Sequence, residues 1–188
     1  MIEDALLLDV IFWVVILIVC SYVFLRYRIA RSLKEKGFSP CKSQRSDLKR
    51  SEINRFVFLA KKAYTGFLEG RQVYVFRVSI FTGRAGFHIP GILVYVPYEM
   101  WPAQVIFFDN FMKRVHASRL SHSFVRVPGA RGVFSSAPEV LSPNASFDSN
   151  CGVKAVELFE GGVVMLFSLW GFSVDKVDPV LKAAENLR

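Results

Sequence analysis

The chain has 188 residues and carries 24 Lys and Arg against 16 Asp and Glu, a net charge of +8. Three cysteines (Cys20, Cys41 and Cys151) form no even, regularly spaced set, which excludes a disulfide scaffold, and the three histidines lack metal-ligand spacing. Nine basic residues against two acidic ones fall between Arg26 and Arg50, a local balance of +7, and no nucleic-acid motif accompanies them, so the charge does not read as a nucleic-acid footprint.

From Val10 to Leu25 the chain runs without a charge, and Leu6, Leu7 and Leu8 extend the apolar stretch across Asp9. About 20 such residues cross a bilayer core as a helix. A cleaved signal peptide is the weaker alternative, because Glu3 and Asp4 precede the run, no Lys or Arg does, and no small-residue cleavage site follows. A buried core helix is weaker still, being seldom apolar on every face. All basic residues lie after Leu25, so the positive-inside rule predicts an outer amino terminus and a cytoplasmic carboxy-terminal domain. Asp9 is expected in the outer headgroup layer, Trp13 and Tyr27 near the two interfaces, and Cys20 as apolar filler. Arg26, Arg28, Arg31, Lys34 and Lys36 are the expected contacts with anionic lipid, each basic residue contributing about 1 kcal/mol near a charged leaflet.

The helix is predicted to run on through Lys36 as one rod, with Gly37 as its C-cap and Ile29 and Leu33 on one stripe. This gives residues 1–36 as anchor and juxtamembrane helix, 37–50 as a polar linker and 51–188 as one domain. Ser51 to Lys62 reads as a short helix with Ile53, Phe56, Val57 and Ala60 on one face; the run Phe56–Leu59 reads nearly as well as strand. Tyr64–Leu68 and Gln72–Phe81 form a hairpin turning at Gly70, with Tyr74, Phe76, Val78 and Ile80 expected to face the core. Thr82–Gly86 is a loop, Ile89–Val96 a strand stopped by Pro97, Gln104–Phe108 a further strand, 111–122 ambiguous, and Ser123–Val127 a short strand. Ser136, Pro138 and Glu139 spell a capping box for a short helix. Val153–Glu160 and Val163–Leu169 flank Gly161-Gly162 as the clearest hairpin, and a last helix starts near Asp178 and Pro179, its stripe made by Val180, Leu181, Ala184 and Leu187. The expected fold class is α+β: an N-terminal transmembrane helix, then a mostly antiparallel sheet with a C-terminal helix packed on it.

No catalytic set emerges. The glycine-rich segments at 82–88 and 127–132 lack phosphate-loop spacing, no Gly-x-Ser-x-Gly elbow exists, and spacing alone does not establish a Cys151–His122 dyad. Glu157 and Glu160 are expected to be solvated at a hairpin edge. The proline-bounded segment 95–102 carries Tyr98, Met100 and Trp101, the expected partner-binding residues together with Phe111; Phe107, Phe108 and Met112 extend the same expected surface, and a loop folding back onto the core is the other reading.

Three features carry a resemblance: the segment Tyr64–Phe76 with its Glu-Gly-Arg turn, the segment Val133–Leu141, and the closing hairpin plus helix. On these the chain resembles an uncharacterised bacterial family with one amino-terminal span, a basic juxtamembrane helix and an α+β domain. The resemblance implies architecture only, and no activity. The function expected from the residues is a non-enzymatic, membrane-anchored adaptor or accessory subunit, without cofactor or metal, partnered by anionic lipid and by a membrane complex or a second copy, and not by nucleic acid. A lipid- or small-molecule-sensing domain is the alternative, and a membrane-bound enzyme the third reading.

Overall fold

A computed structural model describes residues 2–42, 47–81, 88–98, 103–108, 110–127, 132–137 and 152–185. The first element, α1 (Ile2–Glu35), is a single helix of 34 residues, roughly 50 Å long at 1.5 Å per residue. It is long and apolar enough to cross a membrane. Its large apolar side chains from Leu6 to Phe24 are mostly 50–68% exposed, whereas Leu25, Ile29 and Leu33 are buried in the domain. The helix ends as predicted. Gly37 takes φ +83°, the Phe38 amide donates to the Leu33 carbonyl (2.9 Å), and the Gly37 amide donates to Lys34 (3.0 Å). This Schellman closure satisfies two end carbonyls and needs a left-handed residue that glycine adopts without strain.

Among the described residues the domain is an antiparallel sheet of nine strands, β1 (Ser39–Lys42), β2 (Val57–Leu68), β3 (Arg71–Phe81), β4 (His88–Pro97), β5 (Gln104–Phe107), β6 (Val125–Arg126), β7 (Val133–Ser135), β8 (Val153–Phe159) and β9 (Gly162–Ser168). The spatial order is β1-β2-β3-β4-β9-β8-β5-β7-β6. α2 (Asn110–His116) follows β5, and α3 (Val177–Glu185) closes the described chain. The fold is α+β, with the apolar helix first and a helix last. Glu69 (φ 47°) and Gly70 (φ 79°) form the two-residue turn between β2 and β3, the backbone that tight hairpins favour.

Both faces of the sheet are covered. On one, Leu25, Ile29 and Leu33 of α1 and Val180, Leu181 and Ala184 of α3 pack with Val73, Val75, Ile92, Val94, Met165 and Phe167. On the other, Leu48, Ile53, Phe56 and Met112 cover Tyr74, Phe76, Leu93, Val105, Phe107 and Leu166. The one-sided core expected for β3 is therefore corrected: Val73 and Val75 are as buried as Tyr74 and Phe76, because α1 supplies a second apolar layer.

Two further expectations change. The linker assigned to 37–50 is part of the domain where it is described: Ser39–Lys42 pairs with β2 as the edge strand, and Phe38 and Leu48 are buried. The helix read over 51–62 is instead a 3-10 turn at Ile53–Phe56 followed by β2, so the strand alternative holds from Val57. The 111–122 segment resolves into α2 and a 3-10 turn at Ala117–Arg119. α3 begins at Val177, one residue before the expected cap, after a 3-10 turn at Val174–Lys176. The loop at 82–86, the capping-box helix after Ala137, and Leu187 lie outside the described residues.

Candidate functional site

The residues expected to contact lipid sit where α1 passes from solvent-exposed rod to packed helix. Leu25, Ile29 and Leu33 must face the sheet, which turns the intervening positions outward or sideways. Arg26 lies along the seam, its guanidinium 5.3 Å from the centre of the Tyr22 ring. Arg28 is exposed, and Arg31 bonds Glu35 one turn on (2.8 Å). Lys34 is exposed, and Lys36 reaches Asp175 (2.6 Å), holding that carboxyl below its ordinary range. Four of the five thus remain at the surface of the rod, while Lys36 also ties its end to the turn before α3.

Two depressions follow this seam. The inner one, about 30 Å³, is walled by Arg26, Ile29, Leu33, Val75, Arg77 and Leu169, among others. The outer one is a groove of about 790 Å³ between α1 and the β1–β2 edge, where Tyr27, Arg31, Lys34, Phe38 and Pro40 converge. Ala30 and Tyr64 border both. Arg77 is the residue that sequence reasoning missed. Its signal is a charge that follows Val73 and Val75 in the alternating set on one face of β3, well inside the strand.

The expected partner surface is dispersed. Tyr98 packs against the α1–α3 face of the core, and the Arg71 guanidinium lies 5.5 Å from the centre of its ring. Phe111 belongs to α2, whose Met112 is buried on the opposite face. Phe107 and Met112 are core residues, which corrects their assignment to an exposed surface; each fills the layer between sheet and α2. Met100 and Trp101 lie outside the described residues.

Glu157 overturns its expected solvation: it is 1% exposed, near the middle of β8 between β5 and β9. Its carboxylate accepts from Ser51 Oγ (2.6 Å), the Glu52 amide (2.7 Å) and the Ile53 amide (2.9 Å). Burial nevertheless pushes its pKa up to about 7, the three donors and the nearby Glu52 charge being smaller influences. Glu52 accepts in turn from Arg55 (2.9 Å) and from the Ser121 amide (3.1 Å). Glu160, by contrast, is exposed and meets Arg50 (2.6 Å).

His116 is fully buried and stacks on Phe56 with ring centres 4.1 Å apart. Burial, then the Arg119 charge, lowers its pKa to about 4, against a weak opposing pull from the Phe81 backbone. Among the described residues no three His, Cys, Asp or Glu side chains gather as metal ligands. Burial pushes the Cys41 thiol up, away from the reactive thiolate. Cys151 lies outside the described residues, so its pairing with His122 has no geometry to assess. These buried groups clamp the 3-10 turns onto the sheet rather than open onto a cleft.

No family model, curated protein or solved structure matches this chain.

Proposed function

We propose that the protein is a non-enzymatic, single-pass membrane-anchored adaptor or accessory subunit. One observation carries the reading: α1 is at once the apolar rod and a wall of the domain core, so the domain is fixed at the end of the rod and does not swing on a tether. Supporting it against a cleaved signal sequence, the exposed apolar run continues in the same helix into buried Leu25, Ile29 and Leu33, and a cut between Leu25 and Leu33 would divide that core stripe while a later one would remove it. The charge asymmetry across the run favours a cytoplasmic domain. A rigid mount suits a subunit that must present one surface at a set height and rotation to a membrane complex or to a second copy. The groove beside α1 gives the lipid-sensing alternative its own physical footing.

The test is affinity purification of the full-length protein from detergent-solubilised membranes at near-native abundance, with intact sizing and mass spectrometry. Stoichiometric membrane partners that survive moderate salt, or a discrete homo-oligomer, are expected. A lone monomer would remove the adaptor reading.

A further inference from the structure

Arg77 stands on the face of β3 that α1 covers, where the residue is partly buried and its Nε is shielded from solvent without a hydrogen-bond partner among the described residues. A guanidinium remains protonated at every physiological pH, and burying one without a counter-ion is unfavourable. Its neighbour across the inner cavity is a second guanidinium, Arg26, whose contact among the described residues is the Tyr22 ring. The remaining walls of that cavity carry no carboxylate, and Glu35 in the outer groove is engaged by Arg31. Two like charges facing one small space call for an anion, and arginine's planar fork matches phosphate oxygens two at a time. About 30 Å³ admits the oxygens of an acid group, not a whole metabolite, while the groove outside accommodates what the group is attached to.

A second observation fixes the depth. Beyond Arg77 toward the end of β3, Ser79 pairs with Phe58 and Ile80 with Ile89, and Trp170 follows cavity-lining Leu169. Phe58, Ile89 and Trp170 are 63%, 44% and 64% exposed, three large apolar side chains at the end of the domain nearest the apolar rod. Aromatic and aliphatic groups of that kind favour the interfacial layer of a bilayer, where headgroup phosphates lie.

We propose that the seam between α1 and the sheet is a phosphate-binding site, with Arg77 and Arg26 as the principal donors and Lys34 at the rim, and that its source is the headgroup of an anionic lipid. The depth argument rests on reading α1 as a membrane anchor.

The experiment uses full-length protein in zwitterionic detergent with equimolar phosphatidylglycerol and phosphatidylcholine. Native mass spectrometry counts retained lipid, and a thermal melt is recorded with each lipid. Wild type is expected to retain phosphatidylglycerol about tenfold over phosphatidylcholine and to melt higher with it, the order expected of charge-assisted hydrogen bonds. Arg77→Gln and Arg26→Gln are expected to abolish both effects, Arg77→Lys to keep part of them, and Arg126→Gln, at an exposed position on β6 at the far edge of the sheet, to keep them whole. Inorganic phosphate that displaces the lipid and raises the melting point in an Arg77-dependent way would assign the site to a free anion and overturn the lipid source. Equal retention of the two lipids by wild type without any response to phosphate, or full retention by a cooperatively melting Arg77→Gln, would overturn the site itself. Alkaline extraction of membranes, run in parallel, separates the premises: a chain released by carbonate refutes the anchor, and Arg77-dependent phosphate binding stands or falls independently of it.

Discussion

Glu157 and His116 oppose each other in their response to pH. The folded protein holds Glu157 with a pKa of about 7 against an ordinary 4.5, so it binds a proton that the unfolded chain has lost. The stability it contributes is complete below pH 4.5 and disappears as pH rises to about 7, a change of ~3 kcal/mol at 1.36 kcal/mol per unit. His116 works the other way, from 6.5 down to about 4: its stabilisation is present above pH 6.5 and lost on acidification toward 4, again ~3 kcal/mol. Over the overlap the two cancel. Glu157→Gln is therefore expected to make the protein acid-labile between pH 6.5 and 4, and His116→Phe, which keeps a ring against Phe56, to make it lose stability from pH 4.5 to 7. Denaturant midpoints across this range in detergent read both. A Glu157→Gln variant with the wild-type profile would contradict the assignment. Glu157→Ala is expected to destabilise the protein across this range, because it leaves buried Ser51, Glu52 and Ile53 donors without an acceptor, and to cost ~3 kcal/mol more at pH 4.5 than at pH 7, where the titrating contribution has already gone.

At the scale of elements, what local chemistry dictates was legible and what distant chain supplies was not. The stop at Gly37 and the hairpins at Gly70 and Gly161-Gly162 are written in a few adjacent residues, and the structure forms all three. Gly37→Ala, forced to keep φ +83°, is expected to cost about 1 kcal/mol and fray the end of α1 near Lys36; hydrogen exchange at the Gly37 and Phe38 amides measures it. Protection at both amides equal to wild type would show the closure to be dispensable. The failures share one cause. Phe38 and Cys41 are sparse apolar residues in a polar stretch, and only the edge of β2 turns that stretch into strand. Alternation in β3 implies one wet face, and only α1 and α3 make both faces dry. Glu157 reads as solvated because its donors, Ser51 to Ile53, are more than 100 residues away in sequence. Arg77 was visible as an odd charge, but its isolation emerges only when Arg26 is brought opposite it.

For the whole molecule, the boundary between apolar rod and domain lies inside α1, not after it. Its large apolar side chains are mostly exposed as far as Phe24, Tyr22 packing partly against the core, and its fully buried stripe begins at Leu25. A chain starting at Leu25 is accordingly expected to keep a cooperative melt, whereas one starting at Phe38 uncovers Val75, Ile92 and Leu169 and loses the Lys36–Asp175 tie, and is expected to aggregate. Leu33→Ala, at a side chain 1% exposed, is expected to cost about 2–5 kcal/mol in the full-length protein. The same continuity makes the mount rotationally stiff, and that has a functional consequence. One alanine inserted between Phe24 and Leu25 leaves the buried stripe Leu25, Ile29 and Leu33 intact, displaces only the partly packed Tyr22, and turns the apolar rod by about 100° relative to the sheet. If a partner grips both rod and domain, this insertion is expected to disrupt the complex while the domain still melts cooperatively, at a temperature lowered by no more than the loss of the Tyr22 contact measured in Tyr22→Ala; four inserted residues, about one full turn, restore most of the register. A complex indifferent to all insertions would mean that the partner reads only one of the two parts, and that the rigid joint serves to seat the domain on the membrane rather than to set its rotation.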